Sequence, residues 1–569
     1  MAECMARRVA VIGAGCTGLA SIKCCLDEGL EPVCFESSAE LGGLWRYKER
    51  AEPGHCSIYR SVVTNTSKEM MCFSDFPMPD HYPNYLHHSL LLQYLSSYAA
   101  HFDLLRHIHF QTTVCSVEEG PGFSNSGQWE VQTKNRMGDT ERHIFDAVLV
   151  CTGLYTRPVL PLKDFPGVES FEGKCYHSWE YKDPDALRGK RVVVVGIGNS
   201  GGDIAVEISR AAHKTFLSTR QGAWVISRLS DRGLPLDMTM ISRLRSWLVS
   251  LLPSGLVHWA GERDLNQKYD HRLYGLQAKH RLLEGRILIN DELPGRILVG
   301  AVVMKPDLQE LRGSSVAFED GTVEDQIDAL IFCTGYEYSF PFLPPTLCPG
   351  PEPELVLYQH ISPPTLEHPT LAVLGLLNTK GPIIPMVEMQ ARWATRVFTG
   401  LIQLPPKNAM LTMIETERKR QLKRAHCPRL AAVLVDYIPY MDELAGQVGA
   451  RPNILGLLLR DPCLGLRVLL GPCTPFQYRL RGPGRWAGAR RAILTQWERV
   501  TRPFKTRPTP EPPSSTLPLL TVSGAFLLLA ALYSQRRSPL VLPDPTGLLN
   551  TLHSLPGITW RMCPCLKWN

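Results

Sequence analysis

The sequence predicts an α/β chain built from two similar parallel-sheet units, the second inserted into the first, with an apolar helix near the C-terminus. Three observations carry this expectation. An apolar segment, a glycine turn and a helix-like stretch appear in "RVAVIGAGCTGLASIKCCL" from Arg8 and again in "VVVVGIGNSGGDIAVEI" from Val192. An octet, "DAVLVCTG" at 146–153, returns as "DALIFCTG" at 328–335 with five of eight positions identical. Finally, "LPLLTVSGAFLLLAALY" at 517–533 runs for 17 residues without a charge, just under the ~20 that usually span a bilayer.

The first unit, 8–36, reads strand, turn, helix, strand, and its Val/Ile-rich strands are of the fully buried, parallel kind. Gly13, Gly15 and Gly18 stand at G-x-G-x-x-G spacing directly after the strand. The first permits a tight turn, the second lets the backbone approach a pyrophosphate, and the third lets helix and strand pack closely. The helix N-terminus then offers free N–H groups and a favourable dipole to an anion. A glycine turn with no ligand has the same spacing, but Glu36 lies 23 residues after Gly13, where a carboxylate can accept hydrogen bonds from ribose hydroxyls. The chain continues "SSAELGGLW" to Trp45. A glycine pair beside a large aromatic suits a long ligand such as FAD better than NAD.

In the second unit, 191–220, the same spacing falls on Gly196, Gly198 and Gly201, and the 23-residue offset reaches Thr219, followed by Arg220. With no carboxylate to hold a free 2′-hydroxyl, and a hydroxyl and guanidinium that could hold a 2′-phosphate, NADPH is the expected ligand. A surface arginine at a strand end is the plainer alternative. The order of the sites, flavin first and reduced nicotinamide second, favours the cofactor. Each octet supplies its unit with a closing strand, so the simplest topology is a Rossmann-like NADPH-binding domain inserted into a Rossmann-like FAD-binding domain. The boundaries expected are 1–165 and 335–445 for the FAD domain and 166–334 for the NADPH domain. An extension and linker follow at 446–510, then a membrane anchor at 517–533 and a tail at 534–569. Beyond Pro475 the Gly-, Arg- and Pro-rich sequence reads as an irregular extension over a surface, and the charge run "ETERKRQLKRAH" as a solvated helix face.

Composition agrees. At 569 residues the chain exceeds what one core usually supports. Its 61 basic and 55 acidic residues give a net charge of +6, with no basic, aromatic-interleaved stripe to suit nucleic acid. The 17 cysteines lack metal spacing and read as reduced thiols in a cytosol-facing body. His87, His88, His107 and His109 read as structural. "MAECMARR" has no apolar core of signal-peptide length, and basic residues on both sides of 517–533 leave the anchor's orientation open.

A flavin reduced by NADPH can pass electrons to a disulfide, an acceptor protein or oxygen. No C-x-x-C or C-x-x-x-x-C pair stands in a suitable loop, whereas oxygen chemistry needs no protein nucleophile. Here the chain resembles the flavin-containing monooxygenases of the vertebrate microsomal family. The resemblance rests on "FEGKCYHSWEY" with Phe171, Gly173, His177 and Tyr181, on "NTSKEMMCFSDFPMPDHYPNY" from Asn65, and on "FCTGY" at 332–336. "IKCCLDEGLEPVCFE" and "LLGPCTPFQYRLRGPGRWAGARRAIL" are most similar to the form-5 branch.

The resemblance implies that Gly13, Ala14, Gly15, Cys16, Thr17, Gly18, Glu36, Gly43, Leu44 and Trp45 contact FAD. It implies that Asn65 and Thr66 lie where flavin, nicotinamide and oxygen meet, with Asn65 catalytic. Ser200, Gly201, Gly202 and Asp203 would face the NADPH pyrophosphate, Thr219 and Arg220 the 2′-phosphate, and His177 would couple domain motion to cofactor binding. A flavin hydroperoxide would oxygenate sulfides and amines or, as in the form-5 branch, insert oxygen beside a carbonyl in Baeyer–Villiger fashion. An NADPH oxidase releasing hydrogen peroxide, or a redox-responsive binding protein, is the alternative. The partners implied are small lipophilic substrates, O2 and the endoplasmic reticulum membrane, and a homo-oligomer is compatible. Two stretches depart from the family: "LYTRPVLP" after Gly153, where relatives carry a histidine pair, and "LLNTKGPIIP", which places Lys380 where they read "QPLGAIMP".

Overall fold

The computed structural model describes residues 7–507 apart from 231, 286, 348–354 and 425–432. The expected anchor at 517–533 and the tail therefore lie outside the described residues. The described residues up to Pro503 form one compact body, and 504–507 belong to another.

Two five-stranded sheets, one for each strand–turn–helix unit, organise the larger body. One runs Leu371–Val373, Ala147–Val150, Arg8–Ile12, Glu31–Phe35, Ile108–His109; the other runs Val302–Lys305, Lys214–Ser218, Arg191–Val195, Ala329–Phe332, Lys174–His177. Every pairing in both is parallel. Parallel strands need crossovers, which the helices Cys16–Asp27 and Asn199–Ile208 provide. The repeated octets take equivalent places: Val9 pairs with Ala147 in one sheet, and Val192 with Ala329 in the other. The chain leaves the first sheet after Val150, builds the second, and returns to the first at Leu371, as the insertion topology requires. The two passages lie side by side, since Arg157–Pro158 pairs antiparallel with Tyr336–Glu337.

The first sheet is covered by Cys16–Asp27, packed on the almost wholly buried helix Ile383–Phe398, and by an antiparallel meander of Thr112–Glu119, Trp129–Asn135 and Thr140–Phe145. Residues 415–422 of the charge run lie on the helix Lys407–Leu422, where only Met410 and Gln421 are buried, and its residues 425 and 426 lie outside the described residues.

The sequence beyond Pro475 corrects an expectation. Residues 480–488 are irregular and mostly exposed, but they lie between a fully buried 3-10 turn, Pro475–Arg479, and a helix, Ala489–Thr501. Arg479, 1% exposed, donates to Glu388 Oε1 at 2.7 Å and Ser74 Oγ at 2.6 Å and lies 2.9 Å from Asp75, which also meets Lys23 at 3.0 Å. Arg499 reaches both oxygens of Glu69 at 3.0 and 3.1 Å. Charges this deep are tolerated only when paired and hydrogen-bonded. Arg479 and Arg499 are thus counter-ions of the core, while Arg481, Arg485, Arg490 and Arg491 are exposed.

Candidate functional site

Both glycine turns sit at the C-terminal edges of their sheets, where parallel α/β folds bind ligands. Gly13 and Gly196 have φ of +102° and +103°, a region costly for any side chain. A first side-chain carbon there would approach the Cys151 and Cys333 carbonyl oxygens at 2.8 and 2.7 Å. At Gly18 it would lie 1.8 Å from the Gly13 carbonyl, and at Gly201 1.9 Å from that of Gly196. Gly15 and Gly198 cap the two helices with ordinary φ and no side-chain acceptor, leaving the first-turn N–H groups to an external anion. Around Gly198 nothing lies within 4 Å of the added carbon, while at Gly15 the nearest atom is Gly43 Cα at 3.7 Å. The first turn thus has a cover: Gly42 donates to the Ala14 carbonyl at 3.1 Å, and the 3-10 turn Gly43–Trp45, containing Leu44, follows.

Glu36 is buried, accepting from Ala14 N and Ser38 N at 2.7 Å each. Ser37 Oγ also donates to Oε1 at 3.4 Å, so Oε2 is the oxygen that keeps a lone pair for a further donor. At the equivalent place in the second unit, Thr219 Oγ1 accepts from Gly222 N at 3.0 Å and Arg220 is exposed. A cavity of about 2210 Å³ runs past Gly196, Gly198, Thr219, Arg220, Thr334 and Tyr336, so two of the sequence motifs line one space.

Within Ser200–Asp203 the roles divide. Ser200 is partly exposed in the first helical turn. Gly202 is a packing position, since a side chain would strike Leu288 Cδ1 at 2.7 Å. Asp203 accepts from Tyr59 at 2.8 Å and Asn290 at 2.7 Å, and burial raises its pKa. Its carboxylate ties three segments together.

Asn65 and Thr66 lie in a loop of the first unit and are half-buried. Asn65 Oδ1 accepts from Arg228 Nη2 at 2.7 Å, and the Thr66 carbonyl accepts from Thr64 Oγ1 at 3.1 Å. The next residue, Ser67, donates its N–H to Asp237 at 2.6 Å, and burial pushes that carboxyl up to about 6. His177 Nδ1 accepts from Trp179 N at 3.0 Å, placing its proton on Nε2, and burial pushes its pKa down to about 4. It is neutral at physiological pH and carries no charge to exchange.

Lys380 belongs to the segment leaving the first sheet. A side chain at Gly375 in that segment would lie 3.5 Å from Thr17 Oγ1, so the segment passes the start of the first helix. Lys380 Nζ donates to the Leu283 carbonyl, and burial lowers its pKa to about 8 against the opposing pull of Asp436 and Glu284. Sequence reasoning missed Arg228, Tyr59, Asn290 and Asp291. None lies in a spaced motif, and only the folded chain brings them to the predicted residues.

Two parallel sheets, one interrupting the other and each ending in a glycine turn above an uncapped helix, define an oxidoreductase that handles two dinucleotides. The chain belongs to the flavin-binding monooxygenase-like family, whose model matches residues 6–536. Flavin-containing monooxygenase 5 of Mus musculus is 51% identical over 524 residues, covering 92% of this chain and 98% of the relative. Dimethylaniline monooxygenase [N-oxide-forming] 2 of Mus musculus is 48% identical over 532 residues, covering 93% and 99%. Among solved structures, S-allyl-L-cysteine S-oxygenase from Allium sativum superposes with a TM-score of 0.60 at 24% identity, over 88% of this chain and 99% of that one. Cyclohexanone monooxygenase from Rhodococcus sp. Phi1 bound to NADP+ gives 0.56 at 18%, over 78% and 97%. The protein is a flavoprotein monooxygenase that uses FAD and NADPH.

Proposed function

We propose that the first glycine turn holds FAD, the second NADPH, and that Asn65 meets the reacting centre between them. The observation that carries this assignment is the divergence of two otherwise matching turns at one place: buried Glu36 in the first, Thr219 and exposed Arg220 in the second. The residues fit dinucleotides, because the space beside Gly15 and Gly198 and the uncapped N–H groups of both helices suit pyrophosphates. On this reading the FAD domain comprises 1–165 and 335–445, the NADPH domain 166–334, and the extension 446–510.

The flavin, once reduced by NADPH, supplies the oxygen activation. The chain's task is to bind, orient and exclude water. Glu36 receives the ribose hydroxyls, the Gly42–Trp45 cover retains the flavin, and Arg220 offers a guanidinium to a 2′-phosphate. Asn65 presents an amide that can donate a hydrogen bond without acting as an acid.

Oxygen transfer to sulfides and amines and insertion beside carbonyls both fall within this proposal, since one of the two relatives described above is named for N-oxide formation and the fold is shared with a cyclohexanone monooxygenase. The test is the ratio of product formed to NADPH consumed by the flavin-loaded protein, with a sulfide and a long-chain ketone offered separately. Product from either supports oxygenation and names the mode. Hydrogen peroxide accounting for all the NADPH with both substrates would make the protein an oxidase.

We also propose that the body works at the cytosolic face of the endoplasmic reticulum membrane, with 517–533 as its anchor. Among the described residues no helix is long and apolar enough to cross a membrane. Support comes from the helices Arg243–Ser250 and Ser254–Lys268 and the turn joining them, which expose Trp247, Leu251, Leu252, Leu256 and Trp259. A cluster of tryptophan and leucine with Arg263 over the Trp259 ring at 5.4 Å suits an interfacial setting. Co-sedimentation with vesicles, lost on replacing Trp247 and Trp259 with serine, would sustain this surface contact.

A further inference from the structure

Asn65 belongs to the first unit, yet its carboxamide is held by a residue of the inserted one. Arg228 Nη2 donates to Asn65 Oδ1 at 2.7 Å, and its Nε donates to the Thr64 carbonyl at 3.3 Å. The guanidinium is itself fixed, with Nη1 on Asp291 Oδ2 at 2.9 Å, while Asp291 Oδ1 accepts from Arg228 N at 2.8 Å and Ser227 Oγ at 2.6 Å. Tyr85 donates to the Arg228 carbonyl at 2.8 Å and places its ring 5.9 Å from the guanidinium carbon. The arginine side chain is 13% exposed. Arginine has donors only, so a flipped carboxamide would set an NH2 group against a guanidinium N–H. Asn65 therefore has one allowed orientation, with its amide nitrogen turned away from Arg228.

Asp291 does not float either. Its neighbour Asn290 donates to Asp203 at 2.7 Å, and Ile289 N donates to Asn199 at 2.9 Å. Both acceptors lie on Asn199–Ile208, the helix of the second glycine turn. A continuous run of hydrogen bonds thus leads from that helix through 289–291 to Arg228 and Asn65.

We propose that Arg228, braced by Asp291, is a positioning residue that fixes the Asn65 carboxamide and ties it to the helix of the second dinucleotide site. This rests on the assignment of Asn65 to the reacting centre. The pair acts through Asn65, so its effect should vanish when Asn65 is gone.

The test is a double-mutant cycle on the flavin-loaded protein with Asn65→Ala, Arg228→Ala and their combination. Two quantities are read: product per NADPH consumed, and the Kd for NADP+ measured by flavin fluorescence without turnover. Each single variant is expected to lower the product ratio about tenfold and weaken NADP+ severalfold, with the double variant within about twofold of Asn65→Ala. Arg228→Lys, which keeps the charge and one donor, should recover part of the loss. Losses that multiply to about a hundredfold in the double variant would show Arg228 acting independently of Asn65 and overturn the proposal. An unchanged ratio in Arg228→Ala beside a reduced one in Asn65→Ala would overturn it too. An unaffected Asn65→Ala would instead remove the underlying assignment. Should Arg228→Ala fail to fold with flavin, Asp291→Asn replaces it, with about a threefold loss expected and no loss counting against the proposal.

Discussion

At the first glycine turn, Gly43 closes to 3.7 Å of the space beside Gly15, and a carboxylate waits at the end of the neighbouring strand. At the second turn the space beside Gly198 is open to 4 Å, and the corresponding position faces a wide cavity with an exposed arginine. The backbones of the turns match to within a degree at the leading glycine. The comparison separates two properties that a glycine motif alone confounds. On the proposed assignment, the turn prepares for a pyrophosphate, while the surroundings decide whether the ligand is kept or exchanged.

The largest expected effect breaks one turn at a time. Gly18→Ala and Gly201→Ala each force a carbon to below 2 Å from a carbonyl oxygen, an overlap that only a backbone shift costing about 3 kcal/mol or more can relieve. Gly18→Ala should yield protein without flavin absorbance. Gly201→Ala should keep its flavin and lose reduction by NADPH by more than about a hundredfold under anaerobic mixing. Loss of flavin from both would mean that the two turns are not separable.

Next comes Glu36→Ala, which removes two buried acceptors. Flavin retention, measured by equilibrium dialysis, should fall about tenfold or more with NADPH affinity unchanged. Arg220→Ala is milder, because the group is exposed. The preference for NADPH over NADH in kcat/KM should drop about tenfold while flavin content stays constant.

The smallest effects sharpen the contrast through pH. His177 lies in the second sheet, with a pKa depressed from 6.5 to about 4 by burial. Its contribution to stability is present above pH 6.5 and lost as pH falls towards 4, because only the unfolded chain takes up the proton in that window. His177→Gln should flatten the denaturation profile between those values. Lys380 lies on the segment passing the first turn, depressed from 10.5 to about 8. Its contribution is complete above 10.5 and is lost as pH falls through 8, so at pH 7 the buried ammonium is a cost. Lys380→Met should stabilise the protein by about 1–2 kcal/mol at pH 7, with the gain fading by pH 10.5.

The parts of the fold carried by local pattern were legible in the sequence. Both strand-turn-helix units, the paired octets and the return to the first sheet follow from apolar runs and glycine spacing, which act over a few residues. Glu36 and Thr219 were found because a fixed offset joins them to a turn. Arg228 was not, since its partners are 163 and 63 residues away in sequence and nothing around it is periodic. Asp203 sits within a motif, but its engagement by Tyr59 and Asn290 appears only in three dimensions. Arg479 misled for the same reason: its glycine- and proline-rich neighbourhood suggests solvent, while Glu388 and Asp75, which neutralise it, are distant in the chain.

Arg479 also bears on the order in which the molecule is completed during synthesis. The second sheet draws every strand from 174–305 and 329–332, so its residues have all left the ribosome while the first sheet still lacks Leu371–Val373. The helix carrying Glu388 then waits for Arg479, and Glu69 waits for Arg499. The part begun first is finished last, and the early carboxylates stay without their counter-ions until nearly 500 residues have been made. A nascent chain of this design needs its N-terminal segments shielded long after the inserted unit has closed around its own core.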